Sequence, residues 1–239
     1  MKAEPKSRQR AAHQLPPGRH GLPRTYVETN QRQRIIDAVA DVVSLVGYQG
    51  MSVEDVISTA GVSRRTFYDH FSSKDDAFLT AYDAIGAKLA ERVQAAYNAS
   101  TTFDEGIIAC LRAFLEFVAS EPHCADMCIV EALAAGPAAI ERRNAVMKTF
   151  AQLLHTGAET VAGGIHPPPL IAETIVGGLY EIVYLRVSQG KTSELPELLP
   201  DLAYSMMLPY LGHEAAQRNV QPLRTKASAR AKPAPNRQE

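Results

Sequence analysis

The sequence lacks most of the features that define secreted, membrane and disulfide-rich proteins. Its 239 residues include three cysteines, too few for a disulfide scaffold, which fits a reducing cytoplasm. No apolar run reaches the roughly 18 residues that a membrane span requires. The N-terminus has no hydrophobic core of a secretion signal, so we expect a cytoplasmic protein with no membrane partner. Strand-like alternation is nearly absent, which predicts an all-helical fold.

Catalytic motifs are also missing. The chain has no glycine-rich phosphate loop, no HExxH and no nucleophile elbow, so we expect neither an enzyme nor a cofactor. His123, Cys124 and Cys128 are the best metal candidates, but their spacing is not that of a zinc site and no fourth ligand is evident. We therefore predict no metal, and leave redox sensing and simple burial open for the cysteines. His155 and Glu159, four residues apart, are typical of a surface pair.

Charge is distributed unevenly along the chain. The net charge is −1, but residues 1–30 contain six Lys/Arg against two Glu, and residues 213–239 contain the same numbers. These polar, basic ends predict a disordered arm at 1–28 and a disordered tail at 213–239. Basic ends on an acidic middle favour nucleic-acid contact near the ends and disfavour it over most of the chain.

Residues 52–74 predict two short helices with a tight turn between them. Ser52 is a suitable N-cap, and Asp55 is three residues later, as in a capping box. Gly61 can end the first helix because glycine adopts the left-handed conformation without a Cβ clash. Ser63 can then cap the second helix. A short helix, a glycine turn and a second helix form a helix-turn-helix, whose second helix lies in the major groove.

The second helix separates a buried stripe from a polar face. Phe67 and Phe71, four residues apart, anchor it to the core. The remaining side chains suit DNA, since arginine reads guanine and hydroxyl or lysine groups hold phosphates. We assign base reading to Arg64 and Arg65. The residues predicted to contact double-stranded DNA are Ser52, Ser63, Arg64, Arg65, Thr66, Tyr68, His70 and Lys74.

The run TAGVSRRTFYDHFSSKDD, at residues 59–76, resembles the signature of the TetR family of bacterial transcriptional regulators. The similarity covers roughly residues 28–85. It implies an N-terminal three-helix helix-turn-helix DNA-binding domain at 29–74 and a C-terminal helical regulatory and dimerisation domain at 75–212. It also implies a dimeric repressor that responds to a ligand, with the helix after Lys74 connecting the two domains.

Helical periodicity, caps and breakers predict the other helices. The first begins near Asn30 and ends at Gly47 or Gly50, with Val46 on its apolar face. Arg32 and Arg34 on this helix are expected near the DNA backbone. The later helices are predicted at about 74–97, from Thr102 or Asp104 to 121, from His123 or Ala125 to Ala135, at 138–161, at 170–188 and at 195–211.

The last two predicted helices are apolar nearly all round, which is typical of an interface or of a central core position. The resemblance implies that they form a four-helix bundle across a two-fold axis. An isologous homodimer would also suit a palindromic operator. The residues assigned to the dimer interface are Ile175, Ile182, Leu185, Leu198, Leu202, Met206 and Tyr210.

An effector pocket is expected within the body of the regulatory domain. Pockets are mostly apolar with a few placed polar groups. The candidate lining residues are Phe114, Phe117, Met127, Val130, Glu131, Met147, Phe150, Leu154, Leu179 and Tyr180. Each of them is also explained by ordinary core packing, and no polar cluster identifies the ligand.

The favoured hypothesis is a homodimeric DNA-binding regulator, a repressor released from its operator by a small-molecule effector. One alternative keeps DNA binding without a small-molecule effector. The other is a helical ligand-binding or interaction protein that has lost DNA binding. DNA binding by the purified chain separates the last from the first two.

Overall fold

The computed structural model describes residues 23–161 and 165–231, with side chains described as far as Thr225. This part of the chain is helical and has no strand, which confirms the predicted fold class. Two compact units meet between Asp83 and Ala84. We call residues 23–83 the head, and the described residues from 84 onward the body.

Nine α-helices and three short irregular helical segments make up the described residues. They are α1 (Arg24–Gly50), α2 (Val53–Ala60), α3 (Arg64–His70), α4 (Lys74–Asn98), α5 (Phe103–Ser120), α6 (Pro122–Ala125), α7 (Pro137–Glu159), α8 (Leu170–Ser188) and α9 (Leu199–Ala231). The irregular segments are a π-helical turn at Asp126–Val130 and 3₁₀-helices at Glu131–Leu133 and Thr192–Leu198. The boundary between the units falls inside α4.

The start of α1 differs from the prediction. The helix begins at Arg24, so the expected start near Asn30 is wrong. Arg24 Nε donates to Glu28 Oε1 at 2.8 Å, an i,i+4 pair that supports the additional turn. The last residues of the predicted arm at 1–28 are therefore helical, while residues 1–22 lie outside the described part.

The inward face of α1 supplies much of the head's core. Its buried residues include Ile35, Ile36, Val39, Val42 and Val43. Val46 was expected among them but is 53% exposed. The chain leaves helical geometry at Gly47, where φ is 72°, and Tyr48 enters the core instead. The Tyr48 ring meets Phe78 edge to face, with 4.9 Å between centroids.

Local signals place most helices of the body correctly. Thr102 caps α5, where its hydroxyl accepts from Glu105 N. Gly136 precedes α7, which begins at Pro137, and α8 has the predicted bounds. These helices bury a shared apolar core that includes Leu111, Leu115, Leu154, Val183, Leu195 and Met207.

The single helix predicted for 123–135 is wrong. The segment instead runs from α6 through the π-helical turn to a 3₁₀-helix. Glu131 N–H donates to Asp126 O, the i→i−5 bond of a π turn. The Ile129 carbonyl accepts a hydrogen bond from Tyr180 Oη at 2.7 Å. This contact comes from α8, so no pattern within residues 123–135 predicts it.

The C-terminal helix also departs from the prediction. A 3₁₀-helix precedes α9, and α9 continues to Ala231 with a break at Gly212, where φ is 75°. Arg224 Nη2 donates to Asp201 Oδ1 at 2.9 Å. A straight helix would hold these residues about 35 Å apart, so the chain folds back at the break.

The segment after Gly212 is part of the body's core. Ala216 and Val220 are fully buried, and Leu223 packs against the same cluster. Their spacing of four and three residues forms an apolar stripe within a polar sequence. The predicted disordered tail at 213–239 is therefore wrong as far as Ala231, and residues 232–239 lie outside the described part.

No single helix among the described residues has both the length and the apolar composition of a membrane span. One pair, Pro122–Leu133 with Pro137–Glu159, meets these criteria only when taken together, and it is bent by 115°.

Candidate nucleic-acid interface and regulatory body

The start of α2 has the predicted capping box. Ser52 Oγ accepts from Asp55 N at 3.2 Å, and Asp55 Oδ2 accepts from Ser52 N at 3.2 Å. Gly61 ends the helix in the left-handed conformation, with φ 62°. These local bonds fix the entry and exit of the helix that precedes α3. Ser52 is exposed, on the side of the capping box away from the core.

The anchoring of α3 is also as predicted. Ser63 Oγ accepts from Thr66 N at 3.0 Å and lies 2.8 Å from Thr66 Oγ1. Phe67 and Phe71 are both buried, and their ring centroids are 5.7 Å apart. Two aromatic rings on one side of a two-turn helix leave its other side to solvent.

The outward side of α3 brings together most of the predicted DNA contacts. Arg64, Arg65 and Tyr68 are exposed, whereas Thr66 and His70 are half-buried. Arg64 Nη2 lies 3.3 Å from Glu54 Oε2, an exposed ion pair with α2. Such a pair contributes little to stability and is readily exchanged. Arg65 has no such carboxylate partner among the described residues.

Lys74 is held more firmly than the sequence suggests. Its Nζ donates to the Met51 carbonyl at 3.1 Å and lies 5.1 Å from the centroid of the Tyr48 ring. The ammonium group thus links the start of α4 to the loop before α2. Two of its three N–H groups remain for other partners.

Arg34, Arg32 and Tyr48, all in the head, have structural roles that sequence reasoning did not assign. Arg34, expected near the DNA backbone, donates through Nη2 to the carbonyls of Ala60 and Gly61, at 2.9 Å for Gly61. It thereby satisfies free carbonyls at the end of α2, and its burial lowers the pKa of the guanidinium. The Arg32 guanidinium lies 5.5 Å from the Phe71 centroid.

Tyr48 connects α1 to α4. Its Oη donates to Asp75 Oδ1 at 2.6 Å, and burial together with this bond raises the pKa of Tyr48 to about 12. The sequence signal for both Tyr48 and Arg34 is a polar side chain next to a buried stripe. That signal marks a satisfied core polar group as readily as a DNA contact.

Arg24, in the first turn of α1, is affected by the negative charges of Glu28 and of Asp69 on α3. The pKa of Arg24 is raised mainly by its bond to Glu28, with a smaller contribution from the negative charge of Asp69. Of the basic segment at residues 17–24, only Pro23 and Arg24 are described.

The predicted pocket residues fall into two groups. Six are half-buried and pack on the outside of the body's core: Phe114, Val130, Met147, Phe150, Leu179 and Tyr180. Phe117, Met127 and Leu154 are buried, and Glu131 is half-buried. The Phe117 ring lies 5.0 Å from the Arg92 guanidinium of α4. It therefore faces a different helix from Phe114, whose centroid is 6.5 Å from that of Phe150.

Two of the predicted dimer residues are misplaced. Leu202 and Tyr210 are buried within their own chain, where they pack in the body's core, and the Tyr210 ring meets Phe103 edge to face, with 5.8 Å between centroids. Ile182 and Leu185 remain 38% and 42% exposed, and Ile175, Leu198 and Met206 are half-buried. Leu208, 37% exposed, was not predicted.

The three cysteines lie on different elements: Cys110 on α5, Cys124 on α6 and Cys128 in the π-helical turn. Cys110 Sγ donates to the Val93 carbonyl at 3.6 Å, and burial raises the pKa of its thiol. Cys124 and Cys128 are half-buried. Within the described ranges, no three His, Cys, Asp or Glu side chains come together as a metal site would require. His155 Nε2 and Glu159 Oε1 are 3.8 Å apart on the surface of α7.

Comparison with known proteins gives a family match in the head and a structural similarity over most of the chain. The sequence profile of "Bacterial regulatory proteins, tetR family" matches residues 35–81. The HTH-type transcriptional activator FasR of Mycolicibacterium smegmatis is 27% identical over 88 residues, which are 37% of this chain and 40% of FasR. The match thus spans about two fifths of that relative.

Solved structures share the fold over most of the chain. The fatty acid degradation regulator FadR from Bacillus halodurans is 21% identical, with a TM-score of 0.67 over 74% of this chain and 94% of that one. FadR from Bacillus subtilis, solved with stearoyl-CoA, is 19% identical, with a TM-score of 0.64 over 74% and 98%. A TetR-like regulator from Rhodococcus sp. RHA1 is 24% identical, with a TM-score of 0.58 over 77% and 96%.

The family profile falls on the helix-turn-helix of the head, and solved transcriptional regulators share the fold over most of the chain. The resemblance stated from residues 59–76 is confirmed: residues 35–81 match the TetR family of bacterial regulatory proteins, and the chain shares its fold with a solved TetR-like regulator.

Proposed function

We propose that this protein is a cytoplasmic homodimeric repressor that places α3 of each subunit in the major groove of a palindromic operator. The observation that carries the proposal is the exposed face of α3, on which Arg64, Arg65 and Tyr68 stand over the buried rings of Phe67 and Phe71. A polar helix face on a fixed apolar base suits direct reading of base edges.

Each contact residue has a distinct role in this proposal. Arg65 reads a guanine edge, since it is exposed and has no carboxylate partner among the described residues. Arg64 exchanges Glu54 for DNA, because the exposed pair costs little to break. Phosphate contacts come from the remaining polar groups at the two ends of the motif: Ser52, Ser63, Thr66, Tyr68, His70 and Lys74.

Dimerisation uses the apolar surface that the body leaves exposed on α8 and α9. Ile182 and Leu185 follow Gly178 at intervals of four and three residues, and all three are exposed on one face of α8. Leu208 adds an exposed apolar side chain on α9. A stripe of this kind supports an isologous helix bundle. Half-buried Ile175, together with Leu198 and Met206, flanks it.

The effector is an acyl-CoA or a related acyl compound. Two observations support this class. B. subtilis FadR, which shares the fold, was solved with stearoyl-CoA, and the six half-buried pocket candidates, from four segments of the body, adjoin its core. Effector binding favours a conformation that no longer fits the operator. It does so only to the extent that the ligand prefers that conformation.

A second candidate is positive regulation, which the similarity to the activator FasR favours. The two differ in the sign of the response and not in the DNA-binding surface. A reporter carrying the operator, measured with and without the protein, separates them.

DNA footprinting with the purified protein tests the proposal. Two symmetric protected half-sites about one helical turn apart are expected. Arg65→Ala should weaken specific binding by about 1–3 kcal/mol and relax base preference at one position in each half-site. Lys74→Ala is less clean, because it also removes contacts with Met51 and Tyr48.

Arg112→Ala, on the exposed surface of α5, is the matched control and should bind DNA as the wild type does. An unchanged isotherm for Arg65→Ala would place the reading surface elsewhere. If no specific site is found, but acyl compounds raise the melting temperature, the chain is a ligand-binding protein without DNA binding.

A further inference from the structure

One charged residue stands among apolar ones on the inward stripe of α7. Arg143, Met147, Phe150 and Leu154 follow one another at intervals of four, three and four residues, so they share a helix face. Met147 and Phe150 pack against the body's core, and Leu154 belongs to it. A surface arginine would be expected on the opposite face of such a helix.

The surroundings of Arg143 leave its charge without a counterion. Its guanidinium carbon lies 3.9 Å from the centroid of the Tyr180 ring, and Nη1 donates to Asn144 Oδ1 at 2.9 Å. Its Nε is buried without a hydrogen-bond partner, and no carboxylate pairs with the guanidinium within the part of the chain that the structure describes. Stacking on an aromatic face holds the group in place but does not satisfy its donors.

Tyr180 is itself fixed on both sides. Its Oη donates to the Ile129 carbonyl in the π-helical turn, and its ring stacks on Tyr184, with 6.4 Å between centroids and 22° between planes. The ring on which Arg143 lies is therefore held in one orientation. A guanidinium presented in a fixed orientation, with an unused buried donor, matches the planar fork that binds carboxylate or phosphate.

We propose that Arg143 binds the anionic group of the effector, and that the effector is an amphiphilic acid. Its carboxylate or phosphate pairs with the Arg143 guanidinium beside Tyr180. Its apolar part lies along Met147 and Phe150 toward Phe114, the next ring in the row. A shielded cation without a partner is costly, and an incoming anion removes that cost, which makes binding selective for acids over neutral analogues. This inference rests on the proposed effector response.

The test uses three probes with the same chain: lauroyl-CoA, laurate and dodecanol, each below the concentration at which it aggregates. Calorimetric titration of the full-length wild type should show binding of at least one of the two anions. Binding of lauroyl-CoA alone indicates recognition of the phosphate-bearing CoA head, and binding of laurate alone indicates recognition of a free carboxylate. Binding of both indicates that Arg143 accepts either anion.

Arg143→Met, which keeps side-chain length and apolar volume, should weaken anion binding about tenfold or more and leave dodecanol binding unchanged. Arg143→Lys should recover part of the loss, since it restores the charge without the fork. Arg112→Met, on the exposed surface of α5, should behave as the wild type. Melting temperatures of all the variants show that each is folded.

The proposal is overturned if folded Arg143→Met binds the anions as tightly as the wild type, if its losses for the anions and dodecanol are equal, or if the wild type binds no anion. Operator binding, measured in parallel, keeps the two proposals apart. DNA binding without anion binding leaves the regulator standing and removes the role of Arg143. Anion binding through Arg143 without DNA binding supports the role of Arg143 and contradicts the proposed DNA-binding function.

Discussion

The head and the body differ in what holds their partly buried polar side chains. In the head, three side chains tie helices together by hydrogen bonds: Arg34 and Lys74 to backbone carbonyls, and Tyr48 to a carboxylate. Buried side-chain atoms without a hydrogen-bond partner occur in the described residues of both units: Asn30 Oδ1 and Arg34 Nε in the head, and Arg143 Nε, Arg186 Nε and Tyr210 Oη in the body. Arg34 is nevertheless bonded through Nη2 to two carbonyls at the end of α2, whereas the Arg143 guanidinium lies over the Tyr180 ring. Polar groups that are satisfied fix one geometry, whereas unsatisfied ones leave a site that a ligand can complete.

This difference suits the two tasks that the proposed function assigns to the head and the body, which are reading DNA and responding to an effector. Reading base edges requires side chains to be held in register with the DNA, so the packing of α3 against the head's core must be rigid. Responding to a ligand requires a unit whose packing has more than one acceptable arrangement. The π-helical turn and the exposed apolar side chains of α8 belong to the unit with the second task.

The largest expected effect comes from removing the anchor of α3. Phe67→Ala deletes a fully buried ring and should lower the stability of the head by about 3–5 kcal/mol. Specific DNA binding should be lost, while the body keeps its slow amide exchange. Hydrogen exchange followed by mass spectrometry reports both units in one experiment.

Leu195→Ala, at an equally buried site in the body, is the counterpart. It should speed exchange in the body and leave the head protected. If either substitution destabilised both units equally, the head and body would unfold as one, and the contrast drawn between them would not hold.

A smaller effect tests the bond between Tyr48 and Asp75. Tyr48→Phe removes the hydroxyl and should cost about 1–1.5 kcal/mol at neutral pH. The folded phenol has a pKa of about 12, above the ordinary value of 10, so its contribution is present in full below pH 10. Between pH 10 and 12 only the unfolded phenol ionises, and wild-type stability falls by up to about 1.4 kcal/mol per pH unit.

The stability curves of the wild type and Tyr48→Phe should therefore converge as the pH rises above 10. Urea unfolding followed by circular dichroism from pH 8 to 11.5 measures this. Tyr68→Phe, at an exposed phenol, is the control and should run parallel to the wild type. Parallel curves for Tyr48→Phe would mean that its hydroxyl does not hold α1 to α4.

The head and the body also differ in how many of their features could be predicted from the sequence. In the head, the capping box at Ser52, the left-handed Gly61 and the paired rings on α3 are local signals, and the structure has them as predicted. In the body, the errors arose where distant contacts override local ones. The hydroxyl of Tyr180 bonds the π-helical turn, and Arg224 bonds Asp201 across the break at Gly212. No window of sequence around either site contains both partners.

Misassigned side chains have the same physical origin. Arg34 looks like a DNA contact in sequence because arginine next to a buried stripe can point either way. Tyr210 looks like an interface residue because an apolar helix face does not reveal which chain covers it. The structure places Tyr210 in its own chain's core, against the Phe103 ring at the start of α5.

The smallest expected effect is that of Tyr210→Phe, which should change the stability of the body hardly at all. Tyr210 Oη is buried without a partner among the described residues, so Tyr210→Phe removes a group that gains nothing from its surroundings. The melting temperature should stay the same or rise by an amount worth less than about 1 kcal/mol. Tyr180→Phe, which breaks the bond to Ile129 and leaves a buried carbonyl, should lower it. A clear destabilisation by Tyr210→Phe would mean that the body satisfies this hydroxyl as fully as the head satisfies Tyr48.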